Sequence, residues 1–498
     1  MSAIITEKFR QHNANQFFES FTETSGNTYY LFLGKATPFT SGTTTGSDSS
    51  PPTPQDGEQD ETRAWDSMLA AKKIASTDIT YAIPRRNWVN GTTYDMYEHN
   101  ISSGNTSTSG ASNIYDSTFY FVTSDYRVYK VLDNNGGNAY DGAAPTSTST
   151  SPFALGGYVL KYMYDISTTD IGKYVTTDFI PVATDSTVSA AATDGAIESL
   201  TITAGSGYTD GTYYAAVYGD GTSQGTSSGA IIRITVSSGA IASFGLTAGT
   251  DTTIHAAGAA YTYGYVNLGA GYTFSDSGLT SASNMGGSGG AINVVISPEG
   301  GHGSNAVTEL GGHYIMSAST ITQAENDDFS TANDFRQVGI VVDPTTYGTT
   351  TVASATTARQ TNVVKFASYN GTFEADEVIT QATTGAVGKV VEWDSVLQLL
   401  YYQQESFKGF GTNATTGGLV AFSGTNTITG GTSGATGVPS STSSETVTLA
   451  NSNTLTLTSG YANPELQPDS GDIIYLENRK PIQRASDQTE DIKIIIEF

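Results

Sequence analysis

Short runs of aromatic and β-branched residues alternate along this chain with stretches rich in Gly, Thr and Ser. Runs such as 29–33 and 126–132 have the length and composition of β-strands. The 55 glycines among 498 residues favour turns between them. The sequence therefore predicts a mainly β fold with a few short helices (α+β class). We expect it to be multidomain, with antiparallel β-sandwich or barrel-like modules and two Gly-rich β insertions.

Local patterns predict individual elements. Apolar residues spaced along 3–21 predict a short amphipathic helix, and the spacing of Trp65, Met68, Leu69 and Ile74 predicts a second helix over 62–75. The proline-containing polar stretch 38–60 predicts a loop. Strands are predicted for the remaining clear runs, namely 29–34, a hairpin of 119–122 with 126–132, an apolar segment 158–166, and two closing strands within 471–477 and 492–498.

The length of the chain predicts more than one domain, because a single core rarely serves so many residues. Composition changes suggest where the boundaries fall. We predict an N-terminal core domain over 1–184, a Gly-rich β insertion with internal duplication over 185–297, a core segment resuming over 298–345, a second β-rich module over 346–470, and C-terminal strands returning to the core over 471–498.

Two internal repeats support the inserted modules. In the first insertion, 205–209 is similar to 269–273, and 229–234 is similar to 290–295. In the second module, 378–386 is similar to 427–435, although more weakly. Each pattern occurs in two copies, which indicates a duplicated β unit and not a solenoid.

Charge and cysteine content exclude several classes of function. The net charge of −26 opposes binding to a phosphate backbone, so we expect no nucleic-acid partner. The absence of Cys excludes disulfides and thiolate metal sites. No apolar stretch is long enough for a signal peptide or a membrane helix, so we predict synthesis in a cytoplasm and no membrane span.

The sequence predicts no catalytic residue, no metal ligand and no cofactor. The most notable histidines are His302, within a Gly-Gly-His-Gly segment, and His313. One alternative is that they form a pair that binds a metal or acts in catalysis. The other is that they are packed structural histidines, and this one is favoured because their spacing fits no metal motif. Acidic clusters at 56–61 and 325–328 are either paired catalytic carboxylates or, as favoured, solvated loops. The 29 tyrosines favour half-buried strands and interfaces over a sugar-binding face.

Several segments carry a family resemblance, and they occur in family order: 4–14, 50–54, 83–88, 94–99, 123–130, 161–164, 174–182, 300–303, 333–337 and 475–479. With them the chain resembles the baseplate wedge subunit of T4-like contractile-tailed phages. The resemblance covers about 1–182, 298–345 and 471–498. It implies a virion protein of the tail baseplate, a homodimer that contacts other wedge proteins and has no catalytic residues.

Tyr, Trp and Arg dominate many protein interfaces, so those in the resembling segments are candidate contacts. The candidate interface residues are Arg85, Arg86, Trp88, Tyr97, Arg336 and Arg479. For the first two, an intradomain salt bridge with Asp95 or Glu98 is an open alternative. A rival function is a host-surface polysaccharide-binding adhesin or tail-fibre component, and a depolymerase ranks third. The two-copy repeats argue against a fibre, which would carry long periodic repeats.

Overall fold

A computed structural model describes residues 5–23, 26–39, 46–222, 229–268, 272–275, 278–281, 285–406, 418–450 and 452–498. The chain divides into two compact units. The first unit consists of Met1–Gln16, Thr80–Met316 and Ile495–Phe498, and the second of Phe17–Ile79 and Ser317–Ile494. Both units are discontinuous in sequence. The predicted five-segment division stays a prediction.

Helices are few and short, as predicted. The α-helices of the described residues are Glu7–Thr22, Glu58–Ser67, Thr168–Tyr174, Ser186–Ala191 and Ala306–Glu309, and the 3-10 helices are Ser76–Asp78, Ile114–Asp116 and Asn135–Gly137. No helix in this part of the chain is long and apolar enough to cross a membrane. The helix predicted for 3–21 is confirmed.

Strands form most of the regular structure, which confirms the mainly β class. In chain order they are Tyr29–Gly34, Met68–Lys73, Ile79–Pro84, Tyr120–Val122, Arg127–Asp133, Phe153–Leu155, Tyr158–Asp165, Phe179–Pro181, Ile197–Thr203, Ser206–Tyr208, Gly211–Gly219, Ala230–Ser237, Ala240–Ile241, Thr253–Ala257, Gly264–Val266, Tyr272–Ser275, Gly278–Ser281, Gly286–Ser288, Ala291–Ile296, Tyr314–Thr322, Phe335–Val342, Thr357–Arg359, Asn362–Asn370, Val378–Gln381, Ala386–Asp394, Leu399–Gln403, Ile428–Gly430, Thr436–Pro439, Glu445–Thr448, Thr454–Leu457, Tyr461–Ala462, Asp472–Ile482 and Thr489–Glu497.

The first unit contains a four-stranded sheet that runs in the order Tyr120–Val122, Arg127–Asp133, Tyr158–Asp165, Phe153–Leu155. The first two of these strands form the predicted hairpin, with Tyr120 opposite Lys130. The core beside this sheet is rich in Tyr and Phe. The hydroxyls of Tyr120 and Tyr158 donate to the backbone carbonyls of Pro84 and Asn138, so these rings are buried without losing polar partners.

The Gly-rich region of the first unit forms its own sheets. Strand Gly211–Gly219 pairs with Ala230–Ser237, whereas Ala291–Ile296 pairs with Ile197–Thr203. The two copies of the predicted repeat at 229–234 and 290–295 are therefore both strands, but they have different partners. The other predicted copy, 269–273, begins with residues that lie outside the described part of the chain.

A five-stranded antiparallel sheet organises the second unit. Its order is Thr357–Arg359, Met68–Lys73, Tyr29–Gly34, Phe335–Val342, Asp472–Ile482. The predicted strand 29–34 is confirmed. The helix predicted for 62–75 is wrong in part, because the helix ends at Ser67 and Met68–Lys73 is a strand. That strand is paired on both edges, with Tyr30 opposite Lys73 and Ala71 opposite Ala358.

Six strands of the second unit close into a barrel. They run in the order Asn362–Asn370, Leu399–Gln403, Ala386–Asp394, Val378–Gln381, Ile428–Gly430, Thr436–Pro439, and the last pairs again with the first. The weak repeat at 378–386 and 427–435 corresponds to two adjacent hairpins of this barrel. Ile379 and Ile428, at equivalent positions, are both fully buried in its core.

The turns of these two hairpins have matching geometry. Gly385 N donates to Gln381 O at 2.9 Å, and the equivalent Gly434 N donates to Gly430 O at 3.2 Å. Both glycines have positive φ, +77° and +67°. A side chain is disfavoured in that conformation, which explains why glycine recurs at this point of the repeat.

Candidate functional site

Two of the predicted interface arginines lie beside the strand Ile79–Pro84 of the first unit. Arg85 is half-buried, and its guanidinium donates to Asn87 Oδ1 and to Thr176 O, each at 2.8 Å. Arg86 donates to Tyr115 O at 2.6 Å and stacks over the Tyr120 ring at 4.4 Å. Both side chains are thus oriented by contacts within the chain. The Arg85 bond to Asn87 is exposed, whereas the bonds of Arg85 to Thr176 and of Arg86 to Tyr115 are partly buried.

The carboxylates proposed as alternative partners of these arginines have other contacts. Asp95 accepts hydrogen bonds from Ser109 N at 2.7 Å and from Thr118 N at 2.8 Å. Burial acts to raise the pKa of Asp95, but these hydrogen bonds outweigh it and lower the pKa. Burial raises the pKa of Glu98. Trp88, next to the arginines, is half-buried and contacts the Tyr140 ring edge-on at 5.8 Å.

Tyr97 lies in a buried ionic centre. Lys130 Nζ is 3.9 Å from the centroid of the Tyr97 ring, 2.9 Å from Glu309 Oε2 and 2.9 Å from His302 Nδ1. The side chains of Lys130 and Glu309 are completely removed from solvent. Burial lowers the pKa of Lys130, while the adjacent carboxylate opposes that shift.

The other members of this centre are also fixed. Glu309 Oε1 accepts from Gly303 N at 2.7 Å and from Asn305 N at 3.2 Å. Burial and the neighbouring Lys130 charge lower the pKa of His302 well below its usual range, so this histidine is neutral. A charged pair bonded on both carboxylate oxygens is typical of a structural centre that fixes the strand Arg127–Asp133 to the segment 302–309.

The structure does not bring His302 and His313 into one site. His313 lies near the chain ends, where its Nδ1 is 3.6 Å from Glu7 Oε2 and its Nε2 is 3.4 Å from Arg10 Nη1. Arg10 also donates to Glu497 Oε1 at 2.8 Å. Burial lowers the pKa of His313. Among the residues that the structure describes, no group of three or more His, Asp or Glu side chains is arranged to hold a metal ion.

The remaining candidate arginines lie in the second unit. Arg336 is buried, and its guanidinium forms paired hydrogen bonds of 2.9–3.0 Å with the carboxylates of Asp48 and Asp334. Arg479 is exposed over 42% of its side chain and lies 3.6 Å from Glu477 Oε1. Of these two, only Arg479 presents its charge to solvent.

The acidic clusters have structural partners. In the cluster 325–328, Glu325 Oε1 accepts from Lys72 Nζ at 2.8 Å, and Asp328 Oδ2 accepts from Thr357 Oγ1 at 2.5 Å. Burial raises the pKa of Asp328 to about 6. In the cluster 56–61, Glu58, Asp60 and Glu61 occupy the first turn of the helix Glu58–Ser67, where they complement the helix dipole, and Asp56 precedes the helix. Asp56 and Glu61 also line a cavity of about 300 Å³.

Comparison with known families adds a second line of observation. Residues 3–151 and 443–498 match the model of the Phage-Gp8 family, described as bacteriophage T4, Gp8. The chain is similar to Gp8 at both of its ends. No curated protein matches the chain significantly.

The Gp8 match contains Arg85, Arg86, Trp88, Tyr97 and Arg479, whereas Arg336 lies outside it. The segments 152–182 and 298–345, which carried part of the resemblance in the sequence, also lie outside the match. The similarity to Gp8 supports a structural role in a phage baseplate and a location in the virion tail.

Sequence reasoning missed the Lys130–Glu309 pair, because a lysine in a strand predicts a solvated side chain.

Proposed function

We propose that the chain is a structural subunit of a phage-tail baseplate wedge. In this proposal it is made in the host cytoplasm, forms a homodimer and assembles by protein–protein contacts with other wedge proteins. The role requires no catalytic residue and no cofactor. The finer points, namely the dimer and the wedge partners, rest on the family resemblance and on the surface features below.

One observation carries the proposal. The two segments that match Gp8 lie at opposite ends of the sequence, and the chain ends lie together in the first unit. Arg10 donates to Glu497 at 2.8 Å, and in the second unit Asn478 Nδ2 donates to Pro52 O at 2.8 Å. A match to two distant segments that contact each other supports a shared fold at these ends, and not an isolated similar motif.

The first unit also has the surface chemistry of an interface within the matched residues. Ile5, two residues before the N-terminal helix, and Phe9, in its first turn, are 67% and 54% exposed. Val89, four residues after Arg85 in the sequence, is 54% exposed. Exposed apolar side chains and arginines are both frequent in contact surfaces.

Light scattering on the purified chain tests the oligomeric state. The proposal expects a mass near twice 52.1 kDa. A trimer would contradict it and would favour the alternative of a tail-fibre component or polysaccharide-binding adhesin. A monomer would contradict the homodimer.

Immunogold electron microscopy of virions tests the location and the role together. Antibodies raised against the purified chain are expected to label the baseplate end of the tail. Lysates in which the gene carries a nonsense mutation should contain filled heads without assembled tails. Label on the fibres, or complete tails in the mutant, would overturn the proposal.

A further inference from the structure

A polar cavity of about 600 Å³ opens on the first unit, bounded by parts of the segments 98–105, 264–268 and 290–295. It combines a segment inside the Gp8 match with two segments of the Gly-rich region outside that match. Amide, hydroxyl and carboxyl residues line it, among them Glu98, Asn100, Asn105, Thr201, Asn267 and Asn293. The described lining residues include neither Lys nor Arg.

An exposed aromatic ring stands at this cavity. Tyr265 is one of its lining residues and is 59% exposed. Its ring stacks on Tyr218 with centroids 5.7 Å apart and planes 28° apart. Tyr218 covers one side of the Tyr265 ring. The exposed area of Tyr265 is therefore the remaining surface of this side chain. Tyr263, two residues earlier, is 58% exposed.

The cavity is built on paired strands. Val266 is opposite Val217, and Tyr265 is opposite Tyr218. A Cβ added at Gly264 would lie 2.8 Å from Val217 Cγ1 and 2.9 Å from Val294 Cγ2, so this strand packs too closely for a side chain there. The backbone that carries Tyr265 is therefore held in place before any ligand arrives.

The polar residues that line the cavity, which form its polar wall, are also held by contacts within the chain. Asn293 and Thr201 are opposite each other in register, with Asn293 Nδ2 3.4 Å from Thr201 Oγ1. On the other side, Asn105 Nδ2 lies 3.2 Å from Asn100 Oδ1. Amide groups carry both donors and acceptors, which is the pattern that sugar hydroxyls complement.

We propose that this cavity binds a neutral oligosaccharide. The apolar face of a sugar ring stacks on the exposed Tyr265 ring, and the amides and hydroxyls of the wall bond its hydroxyls. The absence of Lys and Arg from the described lining and the net charge of −26 oppose acidic polysaccharides. The site is independent of wedge assembly, so a failure here leaves the oligomeric state and the immunogold labelling unaffected.

A glycan array tests the ligand class. The purified full-length chain is applied to an array of neutral and acidic bacterial surface oligosaccharides. The proposal expects binding to neutral members. Binding to acidic members alone, or to none, would overturn it.

Titration calorimetry with the strongest neutral ligand tests the site. Tyr265→Ala is expected to weaken binding about tenfold, because it removes the stacking surface. Tyr347→Ala is the matched control, since Tyr347 is an exposed tyrosine of the second unit, and its affinity should equal that of the wild type. Unchanged affinity of Tyr265→Ala would place the ligand elsewhere. If Tyr265→Ala does not fold, the exposed Asn293→Ala provides the same test, and unchanged affinity there would likewise overturn the proposal.

Discussion

Lys130 Nζ lies 2.9 Å from Glu309 Oε2, and both side chains are fully removed from solvent. The carboxylate is satisfied on its other oxygen by two backbone N–H groups, and the ammonium also contacts His302 and Tyr97. A buried pair of this kind costs desolvation energy, which its hydrogen bonds offset. Breaking it from one side leaves an uncompensated buried charge.

We therefore expect Lys130→Met to lower the free energy of unfolding by about 3–5 kcal/mol. The double variant Lys130→Met with Glu309→Gln should lose less, because the neutral amide keeps an acceptor for Gly303 N. The expected coupling is about 0.5–3 kcal/mol. Urea unfolding of Lys130→Met, Glu309→Gln, the double variant and the wild type measures both quantities. Equal midpoints for Lys130→Met and the wild type would contradict the structural role.

A second prediction concerns pH. Burial raises the pKa of Asp133 to about 6, while its hydrogen bond from Asn135 N opposes the shift. Because the folded pKa lies above the unfolded value, ionisation favours unfolding, and stability falls as pH rises from about 4 to about 6. Asp133→Asn should be more stable than the wild type by about 1–3 kcal/mol above pH 7 and equal to it below pH 4.

Urea unfolding at pH 4 and pH 8 checks this difference. Asp141→Asn is the control, since Asp141 is exposed and its substitution should change stability little at either pH. If Asp133→Asn differs in stability from the wild type by the same amount at both pH values, the charge of the buried Asp133 does not affect stability, and the prediction is wrong.

Local patterns predicted much of the fold, because they depend on neighbouring residues. The hairpin of Tyr120–Val122 with Arg127–Asp133 and the closing strands Asp472–Ile482 and Thr489–Glu497 are of this kind. The strand Met68–Lys73 is different. Its first four residues, which point alternately to the two faces of the sheet, are all buried, so the alternation that marks a strand is absent.

The contacts of the candidate residues depended on pairings that no local pattern contains. Lys130 and Glu309 are 179 residues apart in sequence, and Arg336 is 288 residues from Asp48. Residue type alone therefore placed Arg336 and Tyr97 among surface candidates, although both are buried in this chain. Whether the six candidate residues contact a partner stays a prediction.

The barrel repeat gives a third prediction. Gly385 has φ +77° and open space around its Cα, so Gly385→Ala adds backbone strain without a clash. The substitution should lower the free energy of unfolding by about 1–2 kcal/mol. Gly172→Ala, in the helix Thr168–Tyr174 and also in open space, should instead raise it by about 0.5–1 kcal/mol. Thermal unfolding separates the two, and destabilisation by both would contradict the assignment of strain to Gly385.

The last prediction concerns the two neighbouring arginines and wedge assembly. Arg86 stacks on Tyr120 and bonds Tyr115 O inside the first unit, so Arg86→Ala should destabilise the isolated protein. Arg85 makes one of its bonds, that to Asn87, at the surface, and Val89 two residues after Asn87 is exposed. Arg85→Ala should therefore leave the melting temperature nearly unchanged while it weakens association with other wedge proteins about tenfold, as expected for an interface arginine.

Co-purification of the variants with wedge proteins, combined with thermal unfolding of each variant alone, separates these effects. Arg63→Ala is the matched control, because Arg63 is a partly exposed arginine paired with Asp60 and lies outside the candidate set. Its association should equal that of the wild type. If Arg85→Ala associates normally, Arg85 only orients Asn87 and the backbone at Thr176. If both Arg85→Ala and Arg63→Ala weaken association, the effect comes from the overall charge of the chain and not from a contact at Arg85.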